Sequence, residues 1–398
     1  MNIERPTIRL KPKSDSRHLR RGFPWVYDNE LVTDRRTRAL PAGTIARLED
    51  ADRKPIATVT VNPASKIFAR LLDRDPEAVI DRHWIATRLT RALQTRTALF
   101  DAPFYRLIHA EADGFPGVII DRFGDAAVIQ PNAAWADARL DEIVEVLAQV
   151  TGVSVVVKSG SGRARSLEGL DDASAVLLGS IEAPVAVVMN GATYMADLLG
   201  GQKTGLFYDQ RPNHAFVARL AKGTDVLDVF SHVGGFALSA LAGGARSALC
   251  VDGSNAALTL AWAGAKASGV ADRFDSRTAD AFVAMSALAE EGRTFGTVIC
   301  DPPAFAPHKG ARDAGLRAYE KVARLGAALV APDGTLTLCS CSHAVDAEQF
   351  RAASLRGIGR AARSCQILRT SFAGPDHPQH PQLAESGYLK AMTFRLLG

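Results

Sequence analysis

Between residues 209 and 357 the chain alternates helical and strand patterns without a break, and no other feature of its 398 residues restricts the fold as tightly. Helical periodicity covers 209–222, 236–242, 254–268, 281–290, 316–329 and 347–357. Between these stretches lie short apolar runs of strand length at 225–229, 248–251, 274–278, 297–300 and 335–339. Strands joined by helical crossovers run parallel, and the crossovers cover both faces of the sheet. Two further strand candidates, 364–369 and 388–396, close its edge. The expected fold class is α/β, with a mostly parallel, Rossmann-like sheet.

The first strand of that series opens the stretch VLDVFSHVGGF at 226–236. A strand, a glycine-bearing turn and then a helix form the nucleotide-binding corner of a doubly wound sheet. Glycine lets a ligand approach the backbone where a Cβ would block it. No Lys-Ser/Thr pair follows Gly234-Gly235, so this is not a phosphate loop, and the spacing departs from G-x-G-x-x-G. An acid ahead of the turn, Asp228, suits a cofactor that carries a cation, such as the ammonium of S-adenosylmethionine. A plain βα turn with no ligand is the alternative that this stretch leaves open by itself.

Ligands of parallel sheets sit beyond the carboxyl ends of the strands. Phe230, Ser231 and Gly234 follow the first strand. Asp252 follows the second, about twenty residues past the turn, where it can accept both hydroxyls of an adenosine ribose. Asp280, Ala281 and Phe282 follow the third, placed to meet an adenine. Asp301, Pro302, Pro303, Ala304 and Phe305 follow the fourth. Each acid alone reads as a solvated loop residue; suitable residues at four successive strand ends read as a cofactor site.

Two prolines fix φ and remove two amide donors, leaving carbonyls to accept from a base amino group. Asp301 can then bond a base edge and Phe305 can stack on an extruded ring, the alternative being a rigid turn. The fifth strand runs into Cys339-Ser340-Cys341-Ser342-His343, where alternation points both thiols to one side while the strand lasts. Two cysteines without further Cys or His at matching spacing do not make a structural zinc site, so no metal is expected. Buried strand cysteines, a redox pair and a thiolate nucleophile all remain open on residues alone. A thiolate here could attack C6 of a pyrimidine and make C5 able to take a methyl group, with loss of the C5 proton releasing the enzyme. Cys250, Cys300 and Cys365 read as core. Five cysteines, an odd number lying late in a long chain, fit a reducing cytosol.

Ahead of this lie two smaller regions. Residues 1–75 hold β-like runs at 7–10, 44–48, 56–61 and 67–72, which read as a small β-barrel. The segment RHLRRGFPWVY at 17–27 mixes cations with rings, suited to phosphate and stacked bases, or else to a core with solvated arginines. Residues 76–190 read as an α+β domain: a helix over 76–99, strands at 105–110, 118–121 and 126–130, a helix over 135–150, and strands at 153–158 and 185–189. Its basic loop SGSGRAR at 159–165 either touches RNA or is solvated. Residues 191–398 form the third region. Residues 1–100 carry 20 Lys/Arg and 12 acids in a chain of net charge +4, so the remainder is net −4. A basic front suits a polyanionic partner. No apolar run approaches the ~20 residues of a membrane helix. The opening residues show no apolar signal core. A cytoplasmic location without a membrane partner is the expectation.

Taken together, RRGFPWVY at 20–27, EADGFPGVIIDRFGD at 111–125, LLGGQKTGLFYDQRPNH at 198–214, VLDVFSHVGGF, DPPAF at 301–305, LCSCSH at 338–343, and DHP followed by GYLK carry a family likeness. The chain resembles bacterial 23S ribosomal RNA cytosine-5 methyltransferases of the RlmI type. The resemblance implies an RNA-binding PUA domain in front, a middle α+β domain, and a class I S-adenosylmethionine-dependent methyltransferase domain behind. It implies that Asp228, Ser231 and Gly234 line the methionine end of the cofactor, Asp252 takes the ribose, and Asp280 with Ala281 takes the adenine. The run 203–211, with Lys203 and Arg211, would cover the cofactor or the target base. Arg20 and Arg21 would meet RNA, and Pro302, Pro303 and Phe305 the base. Ser340-Cys341-Ser342 matches the family's nucleophile segment, so that role falls on Cys341 with Asp301 beside it, and Cys339 is an extra thiol. A homodimer is compatible with the resemblance, with no interface legible. Two departures are Ala110-Glu111-Ala112-Asp113, where the family often has Gly-Glu-Gly-Asp, and Ala304, where it often has Lys.

Three other readings compete. A base-nitrogen methyltransferase uses the same fold and a similar Asp-Pro-Pro loop but needs no cysteine. A non-catalytic RNA-binding or ribosome-assembly protein would need no intact acids at the strand ends. A nicotinamide dehydrogenase is disfavoured by the missing G-x-G-x-x-G pattern and the Asp-Pro-Pro loop.

Overall fold

A computed structural model describes residues 5–182, 184–200 and 205–397. The chain divides into two compact units. The first takes the described residues up to 182 with 197–200, Gly205 and Asp376–Ser386; the second takes 184–196, Leu206–Pro375 and the described residues from Gly387 onward.

The first unit holds two sheets. Its first sheet has β1 (Thr7–Arg9), β2 (Trp25–Tyr27), β3 (Thr44–Glu49), β4 (Pro55–Val61) and β5 (Ile67–Asp73) in the order β1-β3-β4-β5-β2. An antiparallel bridge between Leu10 and Leu31 brings the segment after β2 back against the end of β1, rolling the sheet towards closure. Its core gathers Ile8, Val26, Ala46, Val59 and Phe68. Two short helices, α1 (Ser16–Arg20) and α2 (Arg35–Arg38), start at Asp15 and Asp34, whose carboxylates accept amides of the first turn. The second sheet is preceded by α3 (Arg82–Leu99), capped by Asp81. It contains β6 (Phe104–His109), β7 (Val118–Phe123), β8 (Ala126–Pro131), β9 (Val155–Lys158) and β10 (Ala175–Leu178) in the order β10-β9-β8-β7-β6. Helices α4 (Ala134–Asp137) and α5 (Leu140–Thr151) connect β8 to its parallel neighbour β9, and α6 (Arg163–Leu167) precedes β10.

Two expectations for this region are corrected. The single helix over 135–150 is broken at Ala138-Arg139, and β10 takes the place assigned to 185–189. That run is instead β11 (Val185–Met189), which pairs antiparallel with β12 (Ala192–Ala196) in the second unit. Asn190 and Gly191 turn between them at φ 52° and 76°, the left-handed pair that an Asn-Gly hairpin turn demands.

The second unit begins its alternation with α7 (Arg211–Leu220). There follow β13 (Asp225–Val229), α8 (Gly235–Ala242), β14 (Ser247–Asp252), α9 (Asn255–Ala267), β15 (Phe274–Thr278), α10 (Ala281–Glu290) and β16 (Phe295–Cys300). After these come α11 (Arg312–Ala328), β17 (Val330–Ser340), α12 (Ala347–Arg360), β18 (Ser364–Ser371) and β19 (Lys390–Leu397). The sheet order is β15-β14-β13-β16-β17-β19-β18. The first five strands run parallel and the last two antiparallel at the edge. β13 and β16 are buried almost throughout, as central parallel strands covered on both faces must be, and β13 carries Asp228 among its buried residues. Leu227, Val229, Val298 and Leu336 join helix residues such as Met285, Tyr319 and Phe350 in one core. Chain order reverses between β13 and β16: β14 lies on one side of β13 and β16 on the other. Doubly wound sheets bind their ligands at that switch point.

Candidate active site at the switch point

The turn after β13 is held in an uncommon backbone. Phe230, His232 and Gly234 have φ of 62°, 49° and 78°, and each non-glycine residue in that region costs on the order of 1–3 kcal/mol unless its surroundings enforce it. The enforcement is visible. Phe230 N and Ser231 N both donate to Val251 O, at 2.8 and 3.2 Å, and Gly234 N donates to Ser231 O at 2.8 Å. Asp252 completes the hold: Oδ2 accepts from His232 N and Oδ1 from Ser254 N, each at 2.8 Å. A carboxylate has about four acceptor sites, so Asp252 keeps lone pairs available beyond the turn. At Gly235, which opens α8, a Cβ would stand 2.7 Å from Cε1 of the His214 ring.

Around this turn lies a cavity of about 100 Å³, lined among others by Gln210, His214, Asp228, Phe230, Ser231 and Asp301. Asp228 is 1% exposed. Its Oδ2 accepts from Ala237 N at 3.0 Å, while Oδ1 has no partner. Burial pushes its carboxyl up to about 8, with Asp301 and Asp252 adding to the rise and the Ala237 amide opposing it. His214 is also buried, with Nδ1 unpartnered, and burial pulls its imidazole down to about 3. An orphaned buried carboxyl is a costly arrangement that a ligand's cation relieves, because an opposite charge nearby favours the ionised form. The ammonium end of S-adenosylmethionine has that chemistry, so the residues present fit it.

Asp301 follows β16, and its amide donates to Val229 O at 3.2 Å, tying the Asp-Pro-Pro loop to the corner. Phe305 sits half-buried among Tyr319, Phe282 and Phe230, with ring centroids 5.0, 6.2 and 6.4 Å away. Ala306 N donates to Ser342 Oγ at 3.0 Å, so the end of this loop is bonded to the loop after β17.

The two thiols differ in setting. β17 stops at Ser340, so strand alternation no longer relates Cys341 to Cys339. Register pairs Cys300 with Leu338, which sets Cys339 beside Asp301. Cys339 is 1% exposed, and burial pushes its thiol far up, with Asp301 adding to the rise and Gln210 opposing it. Cys341 lies outside the strand and is half-buried. The next residue is clamped: Lys390 Nζ donates to Ser342 O at 2.6 Å, Tyr388 O at 2.7 Å and Val345 O at 2.8 Å. Burial pulls Lys390 down to about 8, and Cys341 is the first group opposing that fall.

Other anticipated residues have different surroundings. Asp280 caps α10, its Oδ1 accepting from Phe282 N and Val283 N, and Ala281 is buried in the core. Arg211 opens α7 with its guanidinium 5.3 Å from the Tyr208 ring centre. Lys203 lies outside the described residues. In the first unit Arg20 is bonded to Asp50 Oδ2 and Pro55 O, while Arg21 is exposed. Trp25 donates to Glu111. Arg165 of the basic loop is neither solvated nor available to RNA: it is 1% exposed and paired with Asp137. Among the described residues no group of three or more His, Cys, Asp or Glu is placed to hold a metal ion. None of their helices is long and apolar enough to cross a membrane. Gln210 falls within the 203–211 run expected over the cofactor or base, and His232 within the turn after the first strand; His214 was not anticipated at the site, and the 198–214 motif was its only sequence signal.

A doubly wound sheet with a strained, acid-bearing corner at its switch point is the frame expected of a class I methyltransferase, though other cofactor-binding proteins share it. Comparison with known proteins agrees. A PUA-like domain model matches residues 8–74, and an S-adenosylmethionine-dependent methyltransferase model matches residues 138–395. Ribosomal RNA large subunit methyltransferase I of Shewanella denitrificans is 33% identical over 395 residues, covering 98% of this chain and 99% of that protein. Ribosomal RNA large subunit methyltransferase of Deinococcus radiodurans is 34% identical over 406 residues, covering 98% of each. SMU.776, a chain assigned as a methyltransferase and solved with SAH, matches the fold at TM-score 0.82 and 21% identity, over 98% of this chain and 100% of that one. The chain belongs to the S-adenosylmethionine-dependent methyltransferase family, with a PUA-like domain in front, and its cofactor is S-adenosylmethionine.

Proposed function

We propose that the chain methylates C5 of a cytidine in 23S ribosomal RNA, with Cys341 as the nucleophile. The names of its relatives support ribosomal RNA of the large subunit as the substrate. The observation that carries the chemistry is the contrast between the two thiols: Cys339 is shut inside the sheet beside Asp301, and Cys341 emerges just past it. The thiolate of Cys341 adds to C6 of the base, which makes C5 nucleophilic. S-adenosylmethionine, when bound, supplies the methyl group that C5 takes up. Removal of the C5 proton and cleavage of the C6–S bond restore the thiolate and the aromatic base. Asp228, Ser231, Gly234 and Asp252 hold the cofactor, Asp301 the edge of the base, and the cations of the first unit, Arg21 among them, the RNA phosphates.

Two single variants test this: Cys341→Ala and Cys339→Ala, assayed for methyl transfer to unmodified rRNA with the product nucleosides identified by mass spectrometry. Cys341→Ala should lose 5-methylcytidine formation while Cys339→Ala retains it. Substantial transfer by Cys341→Ala, with the methyl on a base nitrogen, would overturn the reading.

A further inference from the structure

A line of amides runs through the second unit to the carboxylate of Asp301. Gln210 Nε2 donates to Asp301 Oδ2 at 2.9 Å. Gln210 Oε1 in turn accepts from Asn213 Nδ2 at 2.7 Å, and Asn213 Oδ1 accepts from Ser371 Oγ at 2.7 Å. Gln210 and Asn213 are buried, 4% and 3% exposed. The direction of this line follows from chemistry alone. An ionised carboxylate only accepts, so Gln210 must turn its NH2 towards Asp301 and its carbonyl away. Asn213 must then meet that carbonyl with its own NH2, leaving its oxygen for a donor. Ser371 is that donor: its hydroxyl has one proton, and Asn213 is nearer than the other acceptor in reach, Ala391 O at 3.4 Å.

Local structure sets the line in place. Gln210 is the residue before α7, and its carbonyl accepts from Asn213 N at 2.8 Å and His214 N at 2.9 Å. Both amide side chains therefore share one rigid first turn, stiffened by Pro212. Asp301 lies 91 residues further on, at the end of β16. Buried polar lines specify a geometry when every member is satisfied, and each member of this one has its partner.

We propose that Gln210 is a positioning residue that fixes the carboxylate of Asp301 within the cavity, and that Asn213 and Ser371 set the direction in which Gln210 faces. The proposal rests on the reading that Asp301 contacts the reactants, and it adds the device that holds Asp301 for them. Gln210 lines the cavity, whereas Asn213 and Ser371 do not, and the role assigned to Gln210 is exerted through Asp301.

The test compares wild type with Gln210→Leu, Gln210→Glu, Asn213→Asp and Ser371→Ala in the full chain. Total methyl incorporation into unmodified rRNA is measured from about pH 5.5 to 8.5, and S-adenosylmethionine binding is followed by calorimetry to certify a folded cavity. Gln210→Leu should lower kcat by roughly ten- to a hundredfold, the range of a hydrogen bond to a charged group. Asn213→Asp, isosteric and one residue removed from Asp301, should approach the same loss, because an acceptor at 213 turns Gln210 around and aims its oxygen at Asp301. Ser371→Ala, the mildest variant, should lose least. Gln210→Glu has a signature that a merely structural role lacks. Two facing carboxylates share a proton, so its kcat should recover as pH falls relative to wild type. A Gln210→Glu profile parallel to wild type, or wild-type kcat in Gln210→Leu, overturns the proposal. Total incorporation is scored wherever the methyl lands, so a product other than 5-methylcytidine sinks the C5 reading and leaves this comparison intact.

Discussion

In the first unit Asp121 is fully buried, and Arg106 meets it with two parallel hydrogen bonds, Nε to Oδ1 at 2.8 Å and Nη2 to Oδ2 at 2.9 Å. In the second unit Asp228 is buried as deeply, and one of its oxygens meets nothing. The same contrast runs through both units. Arg70 spans Glu111 and Glu168, Arg96 holds Asp113, and Arg165 holds Asp137. Among the described residues, the unpartnered buried side-chain atoms of the first unit are the Nε of Arg9, Arg47 and Arg70, whose terminal nitrogens are paired. Those of the second unit include a carboxylate and an imidazole beside one cavity. Closed networks hold a shape; an open one is maintained at a cost, and a ligand is the reason to maintain it.

The strongest way to break this comparison is to open a closed pair. Asp121→Ala leaves the Arg106 guanidinium uncompensated in the interior and should destabilise the protein by about 3–5 kcal/mol, read by denaturant unfolding. A loss below about 1 kcal/mol, the scale of an exposed pair, would show that the pair is not closed in the sense argued. A smaller effect is expected from crowding the open site. In Gly235→Ala the new Cβ meets His214 at 2.7 Å; the cost should be about 1–3 kcal/mol, with weakened S-adenosylmethionine binding by calorimetry. Unchanged melting and binding would mean that His214 yields without consequence.

The subtlest test separates Asp228 by pH. Its carboxyl is raised from 3.8 to about 8 in the folded chain, so folding takes up a proton between those values. Its contribution to stability is therefore complete below about 4 and is lost as pH rises towards 8. Thermal melts of ligand-free wild type should fall relative to Asp228→Asn across that window, and parallel melts would remove the buried acid from the account. Since a cationic ligand favours the ionised form, cofactor affinity of wild type should rise over the same window while that of Asp228→Asn stays flat and weaker.

The alternation and the corner were legible because both are written in local spacing. Strand-length apolar runs, the glycines at 234–235 and the acids at successive strand ends need no knowledge of what packs where. The hairpin at Asn190-Gly191 was equally local, and its turn signal lay in the sequence. The fate of 185–189 was misread because a short apolar run carries no mark of the sheet it will join. Arg165 was misread for a related reason: a basic loop looks solvated until Asp137 is known to lie beside it.

By itself, then, the sequence pointed to a mostly parallel doubly wound sheet and to a nucleotide-type corner in it, while the choice of Cys341 between the two thiols came from the family likeness. Only the tertiary structure decided that Cys339 is sealed and Cys341 is not, that Asp228 keeps an empty oxygen, and that Gln210 reaches Asp301 across 91 residues. Periodicity and turn chemistry act over a few residues, whereas burial and hydrogen-bond partnership arise where distant segments meet.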